Sequence, residues 1–278
     1  AEVLGNLGNA SEVVISALLL CLEDGDRDVR ASAAEALGEL GNASEAVINA
    51  LLLRLEDVDY FVRYKAARAL GELGNASEAV ISALLLRLED GDFRVRVSGV
   101  QALGKLGNAS EAVINALLLR LEDGNRDVCS STAYALGELG NASEAVIDAL
   151  LLRLEDWDNS VRYSAAQALG NLGNTSEAVI SALLLRLEDG DNSVRYSAAQ
   201  ALGNLGNASE AVINALLLSL EDGKDWVRSE AVEALGKLGL KSGEVLPAVV
   251  QWIDRHQDTA YVGSGIDVLW DLVASDGN

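Results

Sequence analysis

The sequence predicts an all-α fold, a right-handed superhelix of stacked α-helix pairs, and three observations support this prediction. Residues 42–74 form a segment that is repeated with small changes along most of the 278 residues. Half of the residues are apolar, which is enough to bury a continuous core. A glycine recurs every 33 residues, at Gly5, Gly38, Gly71, Gly104, Gly137, Gly170, Gly203 and Gly236. Such a period is typical of solenoids, in which each repeat packs on its neighbours.

The repeats divide the chain into an array and a C-terminal segment. Seven full repeats begin at Asn9, Asn42, Asn75, Asn108, Asn141, Asn174 and Asn207. Residues 1–8 match only the end of a partial repeat, as expected for a piece cut from a longer protein. Residues 240–278 depart from the repeat and contain the only proline and the only histidine. We predict an array over residues 1–239 and a divergent capping helix pair over residues 240–278, because terminal repeats are usually atypical.

The first helix of each repeat is predicted from the segment that begins at Asn42. Glu45 follows Asn42 by three residues, which is the spacing of a capping box with Asn42 as the N-cap. The helix then carries apolar residues on almost every side, so we expect it to be covered on several sides. Its leucine run is too short to span a membrane.

The second helix is predicted between Asp59 as its N-cap and Gly74 as its C-terminal stop. Gly71 costs about 1 kcal/mol of helix propensity relative to Ala. Its recurrence therefore predicts that a neighbouring helix packs closely against it. The residues with the spacing of one buried helical stripe are Val62, Ala66, Ala69, Leu70 and Leu73.

An acidic turn joins the two helices, and an arginine recurs shortly after it. The positions are Arg30, Arg63, Arg96, Arg162, Arg195 and Arg228, with Cys129 in the remaining repeat. We expect each arginine to pair with an aspartate of these turns and to form a ladder between repeats. Exposed pairs of this kind contribute about 0–1 kcal/mol each.

The motif of the second helix resembles a known family. The pattern Asp-x-x-Val-Arg-x-x-Ala-Ala-x-Ala-Leu-Gly-x-Leu-Gly, seen over residues 59–74, is similar to the short HEAT-like repeats of bilin lyases and related bacterial proteins. The resemblance extends over nearly the whole chain. It implies that the second helices line a concave surface and the first helices a convex one. It selects no single function, because HEAT-like arrays serve as scaffolds, adaptors, lyase subunits and sensor regions of larger NTPases.

The second helix varies between repeats on the face opposite its buried stripe. Nine aromatic residues lie at these varying positions or in the preceding turn, and none occupies a repeated core position. Because Trp, Tyr and Arg dominate binding hot spots, we predict a partner-binding face, with neutral drift of surface positions as the alternative. The predicted partner-binding residues are Tyr60, Phe61, Tyr64, Lys65, Arg68, Phe93, Arg94, Val97, Gln101, Arg126, Tyr134, Trp157, Asn159, Tyr163, Gln167, Asn192, Tyr196, Gln200 and Trp226.

The net charge and the motifs of the sequence exclude several classes of partner and function. The formal net charge is −22, and the varying face has no concentration of basic residues, which nucleic-acid binding requires. No signal peptide, membrane span, catalytic constellation, metal cluster or phosphate-binding motif is visible. Cys21 and Cys129 lie more than three repeats apart, which fits a reducing compartment. We therefore predict a cytoplasmic protein with no catalytic residue, no cofactor and no metal.

Three functions stay open. The leading hypothesis is a non-catalytic scaffold or sensor module that binds a protein or peptide on the concave face. A bilin-lyase-like subunit that binds a tetrapyrrole is an alternative, although the face offers no paired His or Cys. A structural spacer without a native ligand, natural or engineered, is the third. We expect a monomer, with residues 1–8 as an edge through which copies could associate end to end.

Overall fold

The computed structural model describes residues 12–275, and within this range the chain consists of 16 α-helices without a β-strand. The chain divides into two compact units, residues 1–139 and residues 140–278. The predicted boundary after residue 239 lies inside the second unit and stays a prediction. The predicted N-terminal edge, residues 1–8, lies outside the described residues. In the described range no helix is both long and apolar enough to cross a membrane.

First and second helices alternate as predicted. In the first unit the first helices are α1 (Glu12–Cys21), α3 (Glu45–Arg54), α5 (Glu78–Arg87) and α7 (Glu111–Arg120), and the second helices are α2 (Arg27–Leu40), α4 (Tyr60–Leu73), α6 (Phe93–Leu106) and α8 (Arg126–Leu139). In the second unit the first helices are α9 (Glu144–Arg153), α11 (Glu177–Arg186) and α13 (Glu210–Ser219), and the second helices are α10 (Asn159–Leu172), α12 (Asn192–Leu205) and α14 (Asp225–Gly239). The chain continues with α15 (Val245–Arg255) and α16 (Val262–Ser275).

The two helices of a repeat begin in different ways. Asp59 caps α4 as predicted, because its Oδ1 accepts a hydrogen bond of 2.8 Å from the Phe61 N–H, and Gly74 ends the helix with a φ of 68°. The predicted capping box is wrong. Ser44 is the N-cap of α3, and Glu45 is its first residue. Asn42 instead accepts a 3.0 Å hydrogen bond from the Ser44 N–H, which turns the chain before the helix starts.

The predicted buried stripe of the second helix forms the core. Val62, Ala66 and Leu70 of α4 are fully buried, whereas Leu73 is half-buried. A Cβ at Gly71 would lie 2.8 Å from the Ala102 Cα of α6, so the close approach predicted for this glycine is confirmed. Equivalent approaches join Gly38 to Ala69, Gly104 to Ala135, Gly170 to Ala201 and Gly203 to Ala234.

The first helices are less covered than predicted. Helix α3 buries Val47, Ile48 and Leu51, but Leu53 is 64% exposed. The expectation of cover on several sides is therefore wrong, because these helices keep one apolar side in solvent. The equivalent exposed residues are Leu20, Leu86 and Leu119 in the first unit and Leu152, Leu185 and Leu218 in the second.

The predicted arginine ladder is present at five of the six predicted arginines, whereas Arg228 pairs with Asp225 of its own repeat. Arg63 donates from Nε and Nη2 to the carboxylate of Asp90, at 2.7 and 2.8 Å, and from Nη1 to the Asp57 carbonyl at 2.8 Å. The side chains are only 17% and 6% exposed, so this pair is mostly buried, and the range for exposed pairs does not apply. The same pairing joins Arg30 to Asp57, Arg96 to Asp123, Arg162 to Asp189 and Arg195 to Asp222.

The C-terminal helix pair lies close to its predicted position. Trp252 of α15 is buried, and the His256 ring stacks on it at 4.1 Å between centroids while its Nε2 lies 3.1 Å from Glu221. On α16, however, Ile266 and Trp270 are exposed. A capping repeat usually presents a polar outer face, so the capping role of this pair stays a prediction.

Candidate partner-binding face

The second helices position all of the predicted partner-binding residues except Trp157, which lies in the turn before α10. None of these side chains is fully buried, because their positions face away from the Val62–Leu70 stripe. The exposed members are Arg68, Arg94, Gln101, Tyr134, Trp157, Asn159 and Trp226. The half-buried members are Tyr60, Phe61, Tyr64, Lys65, Phe93, Val97, Arg126, Tyr163, Gln167, Asn192, Tyr196 and Gln200.

In the first unit, α4 brings two aromatic rings and a cation together. The Phe61 and Tyr64 rings stack with centroids 6.2 Å apart. The Lys65 Nζ lies 5.4 Å from the Phe61 centroid and 5.7 Å from that of Tyr64. Lys65 also forms an ion pair with Glu35 of α2. The chain itself therefore supplies the cation that these rings can bind.

A second cation covers the neighbouring rings. The Arg94 guanidinium lies 3.9 Å from the Tyr60 centroid and 5.4 Å from that of Phe93. Its Nε and Nη2 donate to the Asp92 carboxylate at 2.9 and 2.7 Å. The hydrogen bond to Asp92 raises the pKa of Arg94. Arg94 is thus held beside these rings by Asp92.

The other predicted residues of this unit lie around these clusters. Arg68 donates to Glu72 at 2.8 Å, which again pairs a basic residue of the face internally. Val97 and Gln101 lie on α6, and Tyr134 lies on α8. Among the described residues, no ring contact or ion pair joins Val97 or Gln101 to the aromatic clusters.

In the second unit, three predicted aromatic residues line a groove of about 640 Å³. The Tyr196 and Trp226 rings are tilted by 34° with centroids 6.3 Å apart. Gln200 supports Tyr196 through a 3.4 Å hydrogen bond from its Nε2 to the hydroxyl. Small polar side chains complete the groove, whose lining residues are Asn159, Ser160, Tyr163, Ser164, Ser193, Tyr196 and Trp226.

Glu230 is a carboxylate beside this groove that was not among the residues predicted from the sequence. Glu230 lies one helical turn after Trp226 on α14, is only 4% exposed, and interacts with the Tyr196 hydroxyl. Its Oε1 has no hydrogen-bond partner among the described residues. Burial raises the pKa of Glu230, and burial together with this carboxylate raises the pKa of Tyr196 to about 12.

Glu230 differs from the residues at the equivalent position of the other repeats. The equivalent position holds a serine in five other repeats and Lys65 in the sixth; the serines are Ser32, Ser98, Ser131, Ser164 and Ser197. The serine hydroxyls of Ser98 and Ser197 donate to backbone carbonyls of the preceding second helix, each at 2.9 Å. A carboxylate at a position that holds a serine in most repeats is a departure that a comparison of the repeats could have identified.

Two other predicted residues of the second unit, Gln167 and Asn192, do not line the groove. Gln167 is half-buried on α10, and Asn192 is half-buried on α12. The Asn159 amide donates to Asp191 at 2.8 Å. In the described range, no cluster of His, Cys, Asp and Glu could hold a metal ion. The face can therefore bind through apolar contact, ring stacking and hydrogen bonds.

Comparisons with solved structures identify the fold. The Escherichia coli protein YibA is 21% identical with a TM-score of 0.67, covering 96% of this chain and 95% of that one. The CpcE–CpcF phycocyanin lyase from Nostoc sp. PCC7120 is 24% identical with a TM-score of 0.53, covering 95% and 96%. Kap95p, solved with RanGDP, is 14% identical with a TM-score of 0.67, covering 98% of this chain and 42% of that one. Among curated protein sequences, none matches the chain significantly.

The family is shown by the sequence itself. The model for HEAT repeats matches overlapping segments, namely residues 15–104, 48–137, 81–170, 114–203, 147–236 and 180–269. Together these segments extend over most of the chain, and the resemblance of residues 59–74 to a HEAT-like repeat is confirmed. This chain belongs to the HEAT-repeat family.

Proposed function

We propose that this chain is a non-catalytic, cytoplasmic protein-binding module that takes a protein or peptide partner on the varying face of its second helices. One observation carries the proposal. In the repeats the aromatic side chains lie on this face, exposed or half-buried, while the core is built from Val, Leu, Ile and Ala. Exposed aromatic clusters on a rigid scaffold are typical of binding surfaces.

Repeat scaffolds of this kind can hold proteins, as the complexes of CpcE with CpcF and of Kap95p with RanGDP illustrate. At these identities the likeness concerns the fold alone. The tetrapyrrole-binding alternative has only this likeness behind it, whereas the protein-binding proposal also has the aromatic face of this chain. The residues on which we base it differ between most of the repeats, as expected for a surface that recognises one particular partner, although residues 158–174 and 191–207 are identical.

The test is a selection from a random peptide display library with the whole chain as bait. A face variant carries Tyr64→Ala, Tyr163→Ala, Tyr196→Ala and Trp226→Ala. A matched control variant carries four alanines at exposed leucines of the first helices, Leu53, Leu152, Leu185 and Leu218. Circular dichroism verifies that both variants stay helical.

We expect selected peptides to bind the original chain and the control variant, and to lose at least tenfold in affinity for the face variant, because hot-spot aromatics carry most of the binding energy. Peptides that bind the face variant undiminished but not the control variant would place the site on the first helices. A selection without binders would favour the structural spacer.

A further inference from the structure

The aromatic clusters of the two units differ in one respect. In the first unit, Lys65 and Arg94 lie over the rings of Phe61, Tyr64, Tyr60 and Phe93. In the second unit, no basic side chain of the described residues lies over Tyr163, Tyr196 or Trp226. The faces of aromatic rings carry partial negative charge and attract cations. The groove of the second unit therefore offers ring faces for which its own chain supplies no cation.

Glu230 makes this groove still more attractive to a positive charge. Its carboxylate is buried next to the Tyr196 hydroxyl, and its Oε1 is left without a hydrogen bond. A buried carboxylate without a paired cation is unfavourable for folding and is rarely kept without a reason. A cation over the Tyr196 ring would be attracted by the ring and by the carboxylate next to the Tyr196 hydroxyl.

The basic residues of the same helix are engaged elsewhere. The Lys237 Nζ lies 2.8 Å from Glu233 and donates to the Asn204 side chain at 3.1 Å. Arg228 donates to the Asp222 carbonyl at 2.7 Å and pairs with Asp225. Neither one pairs with Glu230 in the structure. Among the described residues no basic side chain supplies a positive charge to the groove, so the groove is open to a cation of a partner.

We propose that the groove lined by Tyr163, Tyr196 and Trp226 binds an arginine side chain of the partner, with Glu230 as the buried counter-charge. Arginine fits better than lysine, because its planar guanidinium stacks on aromatic rings while its N–H groups donate to the serine and asparagine oxygens of the rim. A volume of about 640 Å³ accommodates one such side chain with its peptide backbone. This inference rests on the proposed function and names the chemistry of the partner at one position.

The test uses the whole chain labelled with ¹⁵N and the peptide N-acetyl-Gly-Arg-Gly-amide as the probe. The indole N–H signal of Trp226 is assigned with the variant Trp226→Phe. The matched peptide contains citrulline, which keeps the shape of arginine and removes its charge. We expect the arginine peptide to shift the Trp226 signal in a saturable way, and the citrulline peptide to bind about tenfold more weakly, since the cation–π attraction and the counter-charge are lost.

Two variants test the role of the carboxylate. Glu230→Gln should weaken binding of the arginine peptide about tenfold, because it removes the buried counter-charge. Glu233→Gln removes the same charge from an exposed site on the same helix and should change binding less than twofold. Glu230→Ser, which introduces the residue of the equivalent positions, repeats the test if the glutamine variant is poorly folded.

Three results would overturn the inference: equal binding of both peptides, no shift of the Trp226 signal by the arginine peptide, or equal effects of the two glutamine variants. The proposed function has a separate outcome. Display-selected peptides that contain no basic residue and still lose affinity for the face variant would support protein binding by this face while contradicting arginine recognition.

Discussion

At the scale of the residue, the buried carboxylate of Glu230 is unfavourable for folding but would favour the binding of a cation in the groove. Its carboxylate is buried without a paired cation, whereas Ser164 and Ser197 occupy the equivalent positions of the two preceding repeats. Residues that break a local rule of the fold are often retained for function. The conflict gives a stability prediction that is independent of any ligand.

We predict that Glu230→Ser raises the free energy of unfolding by about 1–2 kcal/mol at neutral pH, because it removes an incompletely hydrogen-bonded buried charge. Since burial raises the pKa of Glu230, the carboxylate destabilises the fold above that pKa, and the penalty fades as the pH falls and the group binds a proton. The gain from the variant should therefore shrink in acid. Urea unfolding at several pH values measures it, and an unchanged or lower stability at neutral pH would contradict the prediction.

Alanine substitutions at two helical glycines, Gly71 and Gly99, can distinguish the effect of close packing on stability from that of helix propensity. A Cβ at Gly71 would lie 2.8 Å from the backbone Cα of Ala102, which cannot move away without shifting α6. A Cβ at Gly99 would lie 3.3 Å from the end of the flexible Leu88 side chain, and the equivalent positions include Ala66 and Ala165. The same substitution should therefore have opposite effects at the two sites.

We predict that Gly71→Ala lowers the free energy of unfolding by about 1–3 kcal/mol through overpacking. Gly99→Ala should raise it by up to about 1 kcal/mol, because alanine favours the helix and little has to shift. Thermal and urea unfolding of both variants measure the two effects. If the Gly71→Ala variant is instead more stable than the original chain, α4 and α6 can move apart easily. This result would contradict the prediction that their close approach requires a glycine.

At the scale of the element, the arginine ladder holds second helices such as α4 against the turn of the next repeat. Arg63 connects the Asp57 carbonyl at the start of its own repeat's turn with the Asp90 carboxylate of the next one. Burial raises the pKa of Asp90, but the hydrogen bonds from Arg63 and from the Asp92 N–H outweigh burial, so this pKa lies below the ordinary 3.8. The pair therefore stabilises the fold when Asp90 is ionised.

We predict that Arg63→Gln costs about 2 kcal/mol at neutral pH, because it leaves a mostly buried carboxylate without its cation. A carboxylate whose folded pKa is lowered contributes stability above its unfolded pKa and loses it as the pH falls through the folded value. The difference between the variant and the original chain should therefore be full at pH 7 and reduced at about pH 3.

Urea unfolding at these two pH values measures this difference. Arg94→Gln is a suitable control, because the Arg94 pair with Asp92 is more exposed to solvent and should contribute little to stability. A cost for Arg63→Gln that is the same at both pH values would mean that packing of the arginine, rather than the ion pair, stabilises the turn.

At the scale of the whole molecule, the net charge and the exposed leucines have opposite effects on association between copies of the chain. The formal charge of −22 at pH 7 repels copies from one another, whereas each described first helix of the repeats exposes one leucine. We predict a monomer at pH 7 and association near the pI of about 4.3, where the repulsion vanishes. Light scattering over a concentration series, with circular dichroism at each pH, measures this.

A variant with Leu53→Ser, Leu86→Ser and Leu119→Ser should associate less near the pI, because it removes three of the exposed apolar side chains. A mass that grows with concentration at pH 7 would contradict the predicted monomer. Association that is unchanged in the serine variant would assign it to another surface, such as the exposed Ile266 and Trp270 of α16.

The repeat, the helix pairs, the Asp59 cap of α4, the close approach at Gly71 and the pairing of Arg63 with a turn aspartate could all be predicted from the sequence. These features follow from the spacing of residues within one repeat and from the recurrence of the same residues in the others. The start of the first helix was predicted wrongly, because an asparagine before a helix can cap it or, as Asn42 does, turn the chain ahead of it.

The repeat pattern could not predict which residues of the varying face come together. Tyr163, Tyr196 and Trp226 meet in one groove although they belong to three different repeats, while Lys65 and Arg94 already cover the rings of the first unit. The exposure of Leu53 and the burial of Glu230 were likewise beyond the sequence pattern. The physical reason is the same in each case: burial and contact between repeats depend on the spacing and rotation of neighbouring helices, which packing sets and the period of the sequence does not encode.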